Sequence, residues 1–212
     1  MSTLEDVREW LEKGTDEAKD ISEISWDVDE INDTKIKGLV AVNPKLPVKL
    51  YITDNEEFST IRIIVPTGIL TADLPPEDKL KTYRALLVLN KTPLAKIYLE
   101  GINGEVFVVS DLSTKTLGED EFHDSISFTI STVISLYNRF GVPKDIRTEM
   151  LENLVWLIQR RLQKGWTREK LEEFLVNKVG MGKPEAEHLL ETIFPTKKKE
   201  EKKTGVSEQM YM

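Results

Sequence analysis

Imidazole and thiol side chains, the commonest neutral-pH proton carriers and soft metal ligands, are few: the chain has 212 residues, two histidines and no cysteine, while carboxylates are abundant. His123 sits in the run Glu119-Asp120-Glu121-Phe122-His123-Asp124, where carboxylates beside an imidazole could form an acid/base pair or a cation site. The same run opens a helical pattern, and acidic residues in a first helical turn are what the helix dipole favours. That structural reading is preferred. His188 reads as a surface or edge residue of its own helix, and neither histidine has a His or Cys partner at metal-ligand spacing. No Walker loop, GxGxxG fingerprint or GxSxG elbow occurs. The expectation is a protein that is not an enzyme, with no catalytic residues, no cofactor and no metal.

Bulk properties narrow the classes further. Hydrophobic residues make up 40% and charged residues 31%, the balance of a globular protein with a heavily charged surface. No apolar run approaches the ~20 residues that span a bilayer. Met1 to Asp6 has no basic segment ahead of an apolar one, against a secretory leader. Absence of cysteine fits a cytoplasmic protein. A net charge of −8 repels phosphates and anionic lipid heads, so neither nucleic acid nor a membrane is expected as partner. The richness in Lys, Glu and Ile is compatible with a thermophilic source.

The elements that would position any site follow from periodicity. Ser2 or Thr3 can cap a first helix with Leu4, Val7, Trp10 and Leu11 on one face, and the pattern resumes at Ala18 and Ile21. Three strands follow. Ile36 to Val42 is apolar with little charge, Val48, Leu50 and Ile52 alternate with Lys49 and Tyr51, and Ile61, Ile63 and Val65 alternate with Arg62 and Ile64. Asn43-Pro44, Asp54-Asn55 and Pro66-Thr67-Gly68 read as the breaks between them. Pro75-Pro76 opens a helix with Leu80, Tyr83, Leu86 and Leu87 as its apolar face. A hairpin turns at Gly101 to Gly104, and a long helix buries Phe122, Ile126, Ile130, Val133, Ile134 and Tyr137 before Gly141 and Pro143. The fold class is α+β: an antiparallel sheet of about five strands packed with helices, in the order α-β-β-β-α-β-β-α.

That order resembles the type III secretion chaperone-like fold, in particular the YbjN-type family. The resemblance covers residues 1–142. It rests on the helix ending "LLVLN", the hairpin "AKIYLEGINGEVFVV" and a final helix led by acidic residues and phenylalanine. It implies a protein-binding or dimerising module rather than an enzyme. The chain departs from that pattern in a long C-terminal addition.

The addition reads as a helical domain over 143–195. Leu151, Leu154, Val155, Ile158 and Leu162 mark one helix, Leu171, Phe174, Leu175 and Val179 a second, and Ala186, Leu189, Leu190 and Ile193 a third after Gly180-Met181-Gly182. It loosely resembles ubiquitin-associated three-helix modules. From Lys144 to Glu191 there are nine Lys/Arg and nine Asp/Glu, whereas a nucleic-acid surface should be strongly basic. Arg160, Arg161 and Lys164 form a small basic spot, read as a solvated face.

Residues 196–212 read as a disordered tail: Lys197 to Lys203 is wholly charged and cannot bury enough surface to offset its ordering entropy. It finishes Met210-Tyr211-Met212. This resembles the HbYX motif that docks into pockets between α subunits of the 20S proteasome, with Met210 as the hydrophobic position, Tyr211 as the tyrosine and Met212 as the terminal carboxylate. Tyrosine supplies a stiff apolar contact with a hydroxyl handle, and methionine adapts to an irregular pocket. The expectation is an archaeal-type, ATP-independent proteasome regulator, adaptor or assembly factor. The alternatives are a stand-alone chaperone-like module that binds protein segments, with homo-oligomers compatible, and an enzyme of unrecognised type.

Overall fold

The computed structural model describes residues 3–15, 21–31 and 37–194. Ala18, Ile36 and the whole of 196–212, Met210, Tyr211 and Met212 included, lie outside them. Two compact units are present, Met1–Gly165 and Trp166–Met212.

The first unit begins with α1 (Leu4–Glu12), where Thr3 is the cap. Its hydroxyl accepts from the Asp6 amide at 3.3 Å, and the Asp6 carboxylate accepts from the Thr3 amide at 2.7 Å. This reciprocal box satisfies two otherwise unpaired donors and holds the Asp6 carboxyl below its ordinary range, the Thr3 backbone bond contributing most. After a short 3₁₀ turn (Ile21–Glu23) come β1 (Asp27–Glu30), β2 (Gly38–Val42), β3 (Lys49–Asn55), β4 (Thr60–Leu70), α2 (Pro76–Leu89), β5 (Lys96–Glu100), β6 (Glu105–Ser113), α3 (Glu119–Phe140) and α4 (Lys144–Gln163).

The six strands form one antiparallel sheet in the order β1-β2-β3-β4-β6-β5. Period two puts Leu50, Ile52, Ile61, Ile63, Val65, Val106, Val108 and Leu112 on one face, all buried, against Phe122, Ile126, Ile130, Val133 and Leu136 of α3 and Val7 and Leu11 of α1. Fully burying each such side chain contributes roughly 1.5–3 kcal/mol.

Three differences from the expected elements have physical causes. The sheet has a sixth strand, β1, that its sequence Asp27-Val28-Asp29-Glu30 conceals, because three carboxylates in four residues do not read as a strand. Pro66-Thr67-Gly68 does not end β4. The strand runs through it with a register shift between Pro66 and Leu70, Gly68 taking φ +67°. The turn chemistry makes a bulge instead of a break. A Cβ at Gly68 would come within 2.8 Å of Ile146 Cγ1, so glycine also admits α4. The Tyr137 hydroxyl donates to the Thr67 carbonyl at 3.2 Å, tying the end of α3 to the bulge.

The third difference concerns α2 and α4. Leu86 is buried and Tyr83 half-buried, but Leu80 and Leu87 are exposed. Thr82 and Ala85 join Leu86 as the buried side, so small residues make the contact and the large apolar ones face out. In α4, Leu154 and Ile158 are buried as expected, Leu157 joins them and Leu151 is exposed.

The second unit contains α5 (Arg168–Glu173), a π-helical turn (Phe174–Lys178) and α6 (Lys183–Ile193). Thr167 caps α5, and its hydroxyl accepts from the Lys170 amide. Leu171, Phe174, Leu175, Ala186 and Leu190 are buried, with Trp166 set edge-on to Phe174 at 6.2 Å. Gly180 at φ +80° turns the chain towards α6.

Candidate protein-binding surface

The cluster around His123 assembles in three dimensions. Glu119 accepts two contacts from Lys13 Nζ, at 3.1 and 3.3 Å, and its carboxylate lies 3.8 Å from His123 Nε2. Trp10, Glu23 and Asp124 line the same open cavity of about 530 Å³. The Lys13–Glu119 pair joins the end of α1 to the start of α3, and Trp10 packs on Phe122 with ring centroids 5.6 Å apart. Geometry thus gives Glu119 a structural partner. Among the described residues no group of three or more His, Cys, Asp or Glu could hold a metal ion. His188 is exposed on α6, and its carbonyl accepts from Thr192.

The basic spot of Arg160 and Arg161 is not a solvated face, which corrects the sequence expectation. Arg160 Nη2 donates to the Val28 carbonyl at 2.9 Å and to Asp29 Oδ1 at 2.8 Å, and its guanidinium lies 5.3 Å from the Trp156 ring centre. Arg161 Nη2 donates to Asp27 Oδ2 at 2.9 Å. Both side chains are largely buried. These arginines answer the acids of edge strand β1. They are therefore spent inside the fold, and the basic surface that a nucleic-acid contact would need is reduced.

What stands out on the first unit is apolar surface. Leu80 and Leu87 of α2 are 71% and 70% exposed, Val88 is 54% exposed, and Leu94 and Leu99 follow at 42% and 41%. Leu80, Arg84, Leu87 and Val88 fall at i, i+4, i+7 and i+8, one helical stripe. The stripe leads to the sheet edge, because Asn90 at the α2 C-cap exchanges two hydrogen bonds with Ile97 of β5. Leu99 shares the helix-packed face of β5 with Ile97, and β5 is the last strand of the sheet, paired with β6 alone and covered at Ile97 by the Asn90 side chain. A cluster of exposed leucines and a valine on one helix is the kind of surface that marks protein contacts. Sequence periodicity pointed at Leu80 and Leu87 but assigned them to the core. Leu86-Leu87-Val88-Leu89 is a run of four consecutive apolar residues, which one helix face cannot hold, and this is the available signal.

Comparison with known proteins gives a family. A family model described as "Domain of unknown function (DUF8183)" matches residues 6–139. The chain belongs to the DUF8183 family. A second model, HTH_78, likewise described as a domain of unknown function, matches residues 141–211 of this DUF8183 chain. The family matches meet near residue 140, whereas the compact units divide at Gly165, since α4 packs its Ile146 into the first unit's core. No curated protein matches the DUF8183 chain. Among solved structures, a chain from the crystal structure of the ExsC–ExsE complex is similar with a TM-score of 0.40 and 12% identity, over 68% of this chain and 98% of that one. Among the described residues no helix is long and apolar enough to cross a membrane.

Proposed function

We propose that this DUF8183 chain is a non-enzymatic, chaperone-like module that binds a segment of another protein. The observation that carries this reading is the exposed stripe of Leu80, Leu87 and Val88 on α2, beside the last strand of the sheet. Leucines about 70% exposed lose free energy to solvent contact that a partner would recover, roughly 1–2 kcal/mol for each when covered. The test is affinity capture from an extract of the source cells, with the intact chain as bait. A Leu80→Ser/Leu87→Ser double variant with unaltered circular dichroism should fail to retain partners that the wild type retains. An identical partner set on both baits would count against this surface.

A second reading is carried by the residues Met210-Tyr211-Met212: docking into pockets of the 20S proteasome α ring, with the charged run Lys197–Lys203 as spacer. It requires a free carboxylate on Met212, which mass spectrometry of the C-terminal peptide checks. Co-purification of 20S particles with the intact chain, and its loss with Tyr211→Ala and with deletion of Met212, is the expected result. Equal recovery with all three would remove the proteasome from consideration.

The HTH_78 match over residues 141–211 has a helix-turn-helix in its name, which raises nucleic acid as a partner of that segment. The charges oppose it. Helix α6 bears Glu185, Glu187 and Glu191 against Lys183, and a helix entering a groove lined by phosphates needs the reverse balance. A gel-shift at low salt should show no retained duplex.

A further inference from the structure

The segment Lys79–Leu99 holds Lys79, Lys81, Arg84, Lys91 and Lys96 and no acidic residue, in a chain whose net charge is −8. It coincides with the exposed apolar stripe. Lys79 donates to the Ala72 carbonyl and Lys81 is paired with Glu77 and Asp78. Arg84 and Lys91 are exposed, and no carboxylate of the described residues lies within ion-pair distance of them, while Lys96 falls on the face of β5 opposite Leu99. Arg84 lies within the stripe, between Leu80 and Leu87, and Lys91 just past its end. Leucine anchors flanked by unspent cations, on a body that is otherwise acidic, select what can lie there.

We infer that the α2–β5 face takes an acidic amphipathic segment of a partner protein, with apolar side chains over Leu80, Leu87 and Val88 and carboxylates against Arg84 and Lys91. The inference rests on the protein-binding reading and gives its partner a chemistry. A symmetric contact with a second copy is disfavoured, because a two-fold axis through α2 would set the cationic row against itself. An anionic bilayer offers matching charge locally, but the acidity of the whole chain opposes close approach to a charged sheet of lipid. A short acidic helix or strand meets the patch without meeting the rest of the surface.

The experiment selects peptides on the intact chain from a displayed library with leucines at helical spacing and random charged residues between them. Recovered binders should favour Asp and Glu over Lys and Arg, bind about tenfold more weakly when salt rises from about 0.05 to 0.5 M, and lose about tenfold in affinity to Leu87→Ser. Against Arg84→Glu/Lys91→Glu the same selection should turn towards basic peptides. Circular dichroism melts verify that these surface variants fold. Binders that depend on Leu87 but show no acidic bias would overturn the inference and leave the protein-binding reading standing. Binders insensitive to Leu80 and Leu87, or a library that yields none, would overturn the site. Co-sedimentation with phosphatidylglycerol vesicles but no peptide binding would assign the face to a membrane and overturn the inference too.

Discussion

Arg161 and Asp27 stand 134 residues apart in the chain and 2.9 Å apart in space. With Arg160 and Asp29 they explain how a strand as acidic as β1 can close one edge of the sheet. Both arginine side chains are largely buried, so removing one leaves a carboxylate short of its partner. Arg161→Met should lower unfolding free energy by about 1–3 kcal/mol in urea titration, while a surface substitution such as Lys164→Met should lower it by less than about 0.5 kcal/mol. Tyr137 makes a second residue-scale prediction. Burial raises its hydroxyl pKa well above the ordinary value, and the nearby Glu149 carboxylate adds to the shift. A folded-state pKa raised above the unfolded one means the unfolded chain loses its proton first. This contribution is therefore complete below about pH 10 and is lost as pH rises further. Stability should fall with pH above 10, and Tyr137→Phe, after an initial cost of about 1 kcal/mol for the bond to Thr67, should flatten that fall. Burial raises Tyr51 as well, with Glu149 again contributing, so a residual slope should persist in the variant.

At the scale of elements, β4 shows why turn chemistry is not always a turn. Gly68 supplies the positive φ of the bulge and leaves room for Ile146. Gly68→Ala should cost about 2–3 kcal/mol, from left-handed strain plus the displaced α4 side chain, and a thermal melt would register it. A result near zero would mean that α4 can shift freely on the sheet. Helix α2 is the converse case. The spacing of its apolar residues predicts the helix but not which side is buried, because Thr82 and Ala85 show no preference on a hydrophobicity pattern yet permit a close approach that leucine would block. Leu80→Ser/Leu87→Ser should leave the melting temperature within about 2 °C of wild type, because neither side chain is buried in the fold. The same change in two core leucines would unfold the protein.

For the whole molecule, the decisive feature is that α4 follows the last helix of the sheet domain in sequence and still belongs to the first compact unit. Ile146 sits in its core and Arg160 and Arg161 brace its first strand. A chain ending at Gly165 should therefore unfold cooperatively, and one ending at residue 142 should be less stable by about 3 kcal/mol or more in the same titration. Comparable stability of the two would show that α4 is dispensable to the sheet.

Much of this could be read from residue order alone. Alternation of apolar residues marked Leu50–Ile52 and Ile61–Val65, and spacing by three and four marked the buried face of α3. Both patterns are local consequences of backbone geometry, so a short window contains them. The α+β class and the order of its elements followed from those windows. Tertiary structure alone decided the rest. Strand β1 exists because distant arginines neutralise it, the β4 bulge exists because a helix lies over it, and the leucines of α2 are exposed because smaller residues hold that helix in place. Each depends on a contact between segments far apart in the chain, and the periodicity of one segment carries no record of what its neighbour will offer.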